Sequence, residues 1–264
     1  MHLCHFFVVS KKIIKSFFSN IPLLICIIAV HFMQLIYSRN VYDNFIGNYE
    51  GVLSGLCQMI ILDDSHRINS LNFYGASTLV QLIFICGIIA ATLVASDKEN
   101  HTLTRIFTAP VQKIQLLLGY LTGFVFSIMS VALIYILLLS KLLGVFWGDS
   151  IPNILLITFL CVVLSVSFAL LISTFVDNTK LVAGIMSILV ILMAFLSGTI
   201  SGTMQTSKTG IFTLLKWAFE SYLNNIEGKA LSNSFCNILV MIALSVIFFI
   251  MSTLFFERKS IHDN

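Results

Sequence analysis

The sequence predicts an all-α integral membrane protein of six transmembrane helices, N-in/C-in, and three observations support that class. Apolar residues fill 58% of the 264 positions and charged residues only 10%, where soluble domains carry roughly a quarter. A chain of this length has too much surface for its volume to hide so much apolar area from water, so lipid is the solvent that fits. Six runs, at 21–37, 73–96, 114–140, 151–176, 181–207 and 230–256, contain no Asp, Glu, Lys or Arg. They are continuously apolar, whereas barrel strands would be short and alternate in polarity.

About 20 helical residues cross a hydrocarbon core of about 30 Å. The spans are therefore placed at about 21–37, 73–96, 114–140, 151–176, 181–204 and 236–256. Residues 1–20 become an interfacial helix and 257–264 a tail. The first run is the shortest and holds Pro22, His31 and Gln34. Its basic flank of Lys11, Lys12 and Lys15 suggests a signal peptide, but the run ends in Ile36-Tyr37-Ser38-Arg39 without a small-x-small cleavage site. An uncleaved span is expected.

Basic residues set the orientation. With the N-terminus inside, nine of the 15 Lys and Arg residues fall in the short inner pieces 1–20, 97–113, 177–180 and 257–264. The outer loop 38–72 is acidic, with Asp43, Glu50, Asp63 and Asp64. Both termini are thus expected on the cytoplasmic side.

Two segments are amphipathic. Over residues 6–18, Phe6, Val9, Ile13, Ile14 and Phe17 share one helical face and Lys11, Lys12 and Lys15 the other. This suits a helix in the inner headgroup region with its lysines toward anionic lipid. Over 211–227, Ile211, Leu214, Leu215, Ala218, Phe219, Tyr222 and Ile226 oppose Lys216, Glu220 and Glu227. That is an outer amphipathic helix ahead of the last span. Trp147 and Trp217 stand beside expected outer boundaries, where an aromatic belt belongs.

Several chemistries have no support. There is no G-x-x-x-x-G-K-[ST] loop; Gly228-Lys229 is followed by Ala230, so ATP is not bound by a P-loop. H-E-x-x-H and G-x-S-x-G are absent, and Gly198-Thr199-Ile200-Ser201-Gly202 lacks the nucleophile spacing. The six cysteines form no C-x-x-C pair, leaving a metal site without a basis; Cys57 and Cys236 both fall in segments placed on the outer side, where a disulfide is conceivable. Ion-coupled carriers place charge at membrane depth. Here only His31 stands out, and a packed, hydrogen-bonded histidine is the simpler reading. A net charge of +3 gives no case for nucleic acid. Energy for transport would have to come from a partner.

The segment between the second and third spans is the most specific. It reads Asp97-Lys98-Glu99-Asn100-His101-Thr102-Leu103-Thr104-Arg105-Ile106-Phe107-Thr108-Ala109-Pro110-Val111-Gln112-Lys113, then Ile114-Gln115-Leu116-Leu117-Leu118-Gly119. Its pattern is that of a short, charge-mixed helix stopped near Pro110, whose ring removes a donor and disfavours helix in the preceding residue. A rigid polar helix tethered between two spans can receive force from a soluble domain.

This run resembles the signature loop of ABC-2-type permeases, the membrane subunits of one class of ATP-binding-cassette exporters. Glu99, Thr102, Leu103, Arg105, Ala109, Pro110, Leu118 and Gly119 match the pattern. His101 stands where that family usually has Gly, and Tyr120 where Lys is common. The likeness extends along the chain through the N-terminal helix, the first outer loop, Leu196-Ser197-Gly198 and the outer amphipathic segment. It implies a multi-pass permease in a prokaryotic cytoplasmic membrane. The chain would not itself be an enzyme and would hold no cofactor, ATP and Mg residing on an ABC ATPase partner subunit. A second permease copy or a sister permease would complete the transporter. By the same resemblance, Glu99, Thr102, Arg105 and Pro110 are expected at the ATPase coupling site. Gly119-x-x-x-Gly123 and Gly198-x-x-x-Gly202 serve close helix packing or a dimer seam.

An interior poor in charge suits an amphipathic cargo, such as a peptide, an antibiotic or a lipid-like molecule. Two rival readings stand beside export. One is a non-transporting immunity or sensor protein that binds a membrane-active peptide through 38–72 and 205–235. The other, an autonomous channel or carrier, would need a buried charge or selectivity ring.

Overall fold

A computed structural model describes residues 2–49, 69–100, 113–199 and 213–262. All regular structure among them is helical: α1 (His2–Ser19), α2 (Ile21–Tyr49), α3 (Ser70–Glu99), α4 (Lys113–Leu143), α5 (Ile151–Phe175), α6 (Thr179–Leu196), α7 (Leu214–Ile226) and α8 (Phe235–His262), with a 3-10 turn at Leu231–Ser234 before α8. Six of these are long and apolar enough to cross a membrane: α2 to α6, and α8 with its preceding turn. Successive spans run antiparallel, giving the bundle two ends. Asp97 marks one and Trp147 the other.

In lipid, apolar side chains gain little by leaving the solvent, so helices associate through close packing and hydrogen bonds between them. α3 is built for this and occupies the centre, in contact with α2, α4, α5, α6 and α7. Small residues let its neighbours close in: Gly75, Ala76, Gly87, Ala90, Ala91 and Ala95 lie along it. A Cβ on Gly87 would sit 2.5 Å from Ser165 Oγ, and that hydroxyl donates to the Ile83 carbonyl at 3.2 Å. Buried residues make up 72% of the apolar windows of α3 and α5, but only 17% to 22% for α2, α6 and α8. The first two are core helices; the other three present broad apolar faces suited to lipid. α6 buries just one stripe, Val182, Met186, Val190 and Ala194, at the four-residue spacing of a single helical face. Aromatic pairs join α5 to α8, with Phe168 to Phe248 at 5.6 Å and Phe175 to Phe255 at 4.7 Å between ring centres.

Several bounds differ from the expected ones, each for a local reason. α2 continues past Arg39 to Tyr49, because a polar segment can stay helical once it leaves hydrocarbon. Pro22 falls in its first turn, where no backbone donor is lost. α3 likewise continues through the charged residues to Glu99, and Asn100 closes it by donating its backbone N–H to Ser96. α6 stops at Leu196, short of 204, since Gly198 at φ +76° turns the chain away. The expected turn at Pro110, and Gly202, Ile211 and Cys57, lie outside the described residues. Cys236 is an exposed free thiol.

The amphipathic segment ahead of the last span, expected at the outer surface or dipping partly into it, is a helix enclosed by its neighbours. α7 packs into the Trp147 end against α3, α5 and α8. Its predicted apolar face is buried from Leu214 to Ile226, but Lys216, Ser221 and Asn225 are buried as well. Tyr222 donates to Thr158 of α5 at 2.8 Å, and Phe219 meets Phe73 of α3 edge-on at 5.0 Å. Trp147 is therefore no belt residue. It is 5% exposed, its ring packs on Tyr222 at 6.3 Å, and its carbonyl accepts from Asn225 Nδ2 at 2.7 Å. The adjacent Gly148, at φ +97°, has no room for a side chain against Asn225.

Candidate functional site

At the opposite end, α3 finishes in Asp97-Lys98-Glu99. Consecutive helical residues point about 100° apart, so three charged side chains leave one turn in three directions. Each meets a different neighbour.

Asp97 faces α1 and α4. Its Oδ1 is 2.8 Å from Lys12 Nζ, and its Oδ2 accepts from the Tyr120 hydroxyl at 2.5 Å. α1 reaches this position because its apolar stripe is seated on α4. Ile13 and Phe17 are buried, and Phe17 lies edge-on to Phe124 at 6.5 Å. Ser10 Oγ is 2.9 Å from Thr122 Oγ1 and donates to the Gly119 carbonyl at 3.2 Å. A Cβ on Gly123 would lie 2.9 Å from Ile13 Cβ and 3.2 Å from the Ser10 carbonyl. The α4 face carrying Gly119 and Gly123 is thus occupied by α1, which requires a residue without a side chain at 123.

Lys98 and Glu99 grip the α5–α6 hairpin. Lys98 Nζ donates to the Ser173 carbonyl and, at 3.4 Å, to that of Thr174, in the last turn of α5. It also lies 3.6 Å from Asp177 and 5.8 Å from the centre of the Phe256 ring of α8. The Glu99 carboxylate accepts from the Thr179 backbone N–H at 2.8 Å and from its hydroxyl at 2.6 Å, at the first residue of α6. Helix dipoles place partial negative charge at a C-terminus and partial positive charge at an N-terminus. The cation therefore meets the end of α5 and the anion the start of α6. Two adjacent residues of opposite charge match the two opposite ends of one hairpin. Asn178 completes the turn by accepting from the Lys180 and Leu181 N–H groups.

Of the residues expected at the coupling site, Glu99 lies in this cluster, whereas Thr102, Arg105 and Pro110 lie outside the described residues. Gly198 is buried in the turn that ends α6, at the far end of the bundle. Sequence reasoning missed the roles of Lys12, Asp97, Lys98, Tyr120 and Thr179. The departure from the family pattern at Tyr120 was a signal, since that phenol is what Asp97 receives. His31 is packed and hydrogen-bonded, with Nδ1 2.8 Å from the Ile27 carbonyl. Among the described residues no three His, Cys, Asp or Glu side chains converge as a metal site would need. The cluster is a polar junction that joins α3 to α1, α4, α5 and α6.

Residues 57–254 match the family described as ABC-2 family transporter protein, which spans α3 to most of α8 and the signature loop. The chain belongs to this ABC-2 transporter family. No curated protein matches it. As an ABC-2 permease it is a multi-pass membrane subunit of an ABC transporter, a transport component without catalysis of its own, in a family that works with an ABC ATPase subunit. The match begins beyond α1, so the Lys12 contact is a property read from this permease alone.

Proposed function

We propose that this permease exports an amphipathic substrate (a peptide, an antibiotic or a lipid-like molecule) from a prokaryotic cell, using ATP hydrolysed with Mg on a separate subunit. It stands N-in/C-in, with the Asp97 end in the cytosol. One observation carries the reading: a single turn at the end of the central helix holds three neighbours by charge. Force applied to the loop beyond Asn100 then moves α1, α4 and the α5–α6 hairpin with α3. Transport follows from two arrangements of the helices that ATP binding on the partner weights differently. Thr102 and Arg105 meet the ATPase, Glu99 passes the displacement to α6, and Pro110 sets the angle at which the loop enters α4. A second copy or a sister permease completes the pathway, and its charge-poor walls suit a cargo with a large apolar part.

The test is charge reversal, Glu99→Lys with Arg105→Glu, in the permease purified with its ATPase. Substrate-stimulated ATP hydrolysis should fall about fivefold or more, the lower range of common coupling energies, with weaker co-purification of the ATPase. Wild-type stimulation in the double variant would overturn the reading.

A further inference from the structure

α2 meets α3 along one stripe. Leu24, His31 and Leu35 are buried, at the seven- and four-residue spacings of a single helical face, and the contacts of α2 go chiefly to α3. His31 is only half served there. The Ile27 carbonyl, 2.8 Å from Nδ1, can only accept, so Nδ1 carries the proton and Nε2 is left as a bare acceptor. Nε2 is buried and has no hydrogen-bond partner among the described residues, and a bilayer core offers no water to fill that role. A donor stands one turn away. Gln34 lies three residues on, where helical side chains are neighbours, but its Nε2 donates across the seam to Gln81 Oε1 of α3 at 3.0 Å.

We propose that Gln34 exchanges this bond, donating to Gln81 while α2 is docked on α3 and to His31 Nε2 when the helices part, so that α2 leaves and rejoins α3 in each transport cycle. The count of bonds balances. Docking strands the His31 acceptor, parting strands Gln81 Oε1, and Gln34 makes one bond in either arrangement. Gln81 keeps its own bond to Ser77 throughout. A seam so balanced is tipped by a modest bias from the ATPase. The junction at the end of α3 joins it to α1, α4, α5 and α6, whereas α2 joins that body through this seam and through Asn20, the one residue between it and α1. The inference rests on the two-arrangement reading of transport given above, and the two can fail apart. Hydrolysis that ignores Glu99→Lys and Arg105→Glu sinks that reading; hydrolysis sensitive to them and indifferent to His31 sinks the exchange alone.

The test replaces His31 in the full-length permease by leucine, which cannot accept, and by glutamine, whose amide oxygen can. With α2 docked, His31→Leu removes a stranded acceptor and should raise the thermal midpoint by roughly 2 °C or more. The same variant leaves Gln34 nothing to turn to on parting. ATP hydrolysis by the permease–ATPase complex in phosphatidylcholine nanodiscs should therefore fall about fivefold or more. His31→Gln should keep hydrolysis within about twofold of native, without the gain in stability. Spin labels on Met33 of α2 and Ile191 of α6, both exposed, read the seam directly in a background with the native cysteines replaced. Their separation should differ between nucleotide-free and vanadate-trapped complexes, and His31→Leu should shift both toward the shorter value. A His31→Leu variant that lowers the midpoint, leucine and glutamine variants that hydrolyse ATP alike, or one unchanging label distance would overturn the proposal.

Discussion

Lys98→Met and Lys98→Arg separate two ways in which Lys98 can hold the end of α5. A methionine keeps most of the apolar stem against Phe256 but leaves the carbonyls of Ser173 and Thr174 and the carboxylate of Asp177 without their cation. Hydrogen bonds to a charged group contribute about 1.5–3 kcal/mol when one partner is removed, and a cation at a helix C-terminus adds up to about 1 kcal/mol at the surface. The Lys98 side chain is only 12% exposed, so water replaces it poorly. Lys98→Met should therefore lower unfolding stability by about 2 kcal/mol, read as a fall in thermal midpoint. Lys98→Arg restores charge and donors and should recover most of the loss. Equal losses in the two variants would mean that packing, not charge, holds the hairpin. The same logic explains why Glu99 cannot simply be exchanged with Lys98: each sign is fixed by the helix end it meets.

Between elements, α2 is the helix least enclosed by the bundle, and its contacts go chiefly to α3. Its polar link is Gln34 Nε2 donating to Gln81 Oε1 at 3.0 Å; Gln81 Nε2 then donates to Ser77 Oγ at 3.2 Å. Ser77 in turn donates to the carbonyl of Thr199, just past α6. A ladder thus joins α2, α3 and the end of α6. Such bonds in lipid average only about 0.6 kcal/mol, yet a buried amide stripped of its partner costs about 1–3 kcal/mol. Gln81→Leu, which strands Gln34 and leaves Ser77 only its bond to the Thr199 carbonyl, should destabilise by about 1–2 kcal/mol. The Gln34→Leu/Gln81→Leu pair should be less harmful than the sum of the single changes. Reversible unfolding in mixed micelles measures all three, and strict additivity would mean that the amides do not interact. Six membrane helices were legible because lipid demands long charge-free runs, and the stripes of α1 and α7 because their periodicity is strong. The placing of α7 was not legible. An amphipathic stripe states that one face is covered without naming the cover, and Lys216 and Asn225 are buried by neighbours distant in sequence. Trp147 was misread for the same reason.

For the whole molecule, only part of the Asp97 junction could be read from sequence. The loop pattern drew attention to 97–110, and Glu99 was named, but the pairing of Lys98 with one helix end and Glu99 with the next depends on the α5–α6 hairpin lying beside α3. No local rule gives that placement. What the geometry adds is a choice between two mechanics. Either the junction opens in each transport cycle, or α3 and its neighbours travel as one body. The Glu99 carboxylate accepts from both donors of Thr179, Lys98 donates to two carbonyls and lies beside the Asp177 carboxylate, and Asp97 is shared by Lys12 and Tyr120. The Glu99 and Lys12 contacts are solvent-screened and individually modest, but all three side chains would have to let go together, and the little-exposed Lys98 would leave two backbone carbonyls without their donor. The junction should therefore stay closed and move as a unit. Cysteines at positions 99 and 179, in a background with the six native cysteines replaced, can be joined by a short thiol-reactive bridge in the assembled transporter. Bridging should return substrate-stimulated ATP hydrolysis to within about twofold of the native complex, a change of less than about 0.5 kcal/mol, whereas the unbridged cysteine pair, lacking the Glu99 carboxylate, should stay impaired. Hydrolysis that stops on bridging would mean that the hairpin must part from α3 in every cycle, and the end of α3 would then be a latch and not a lever.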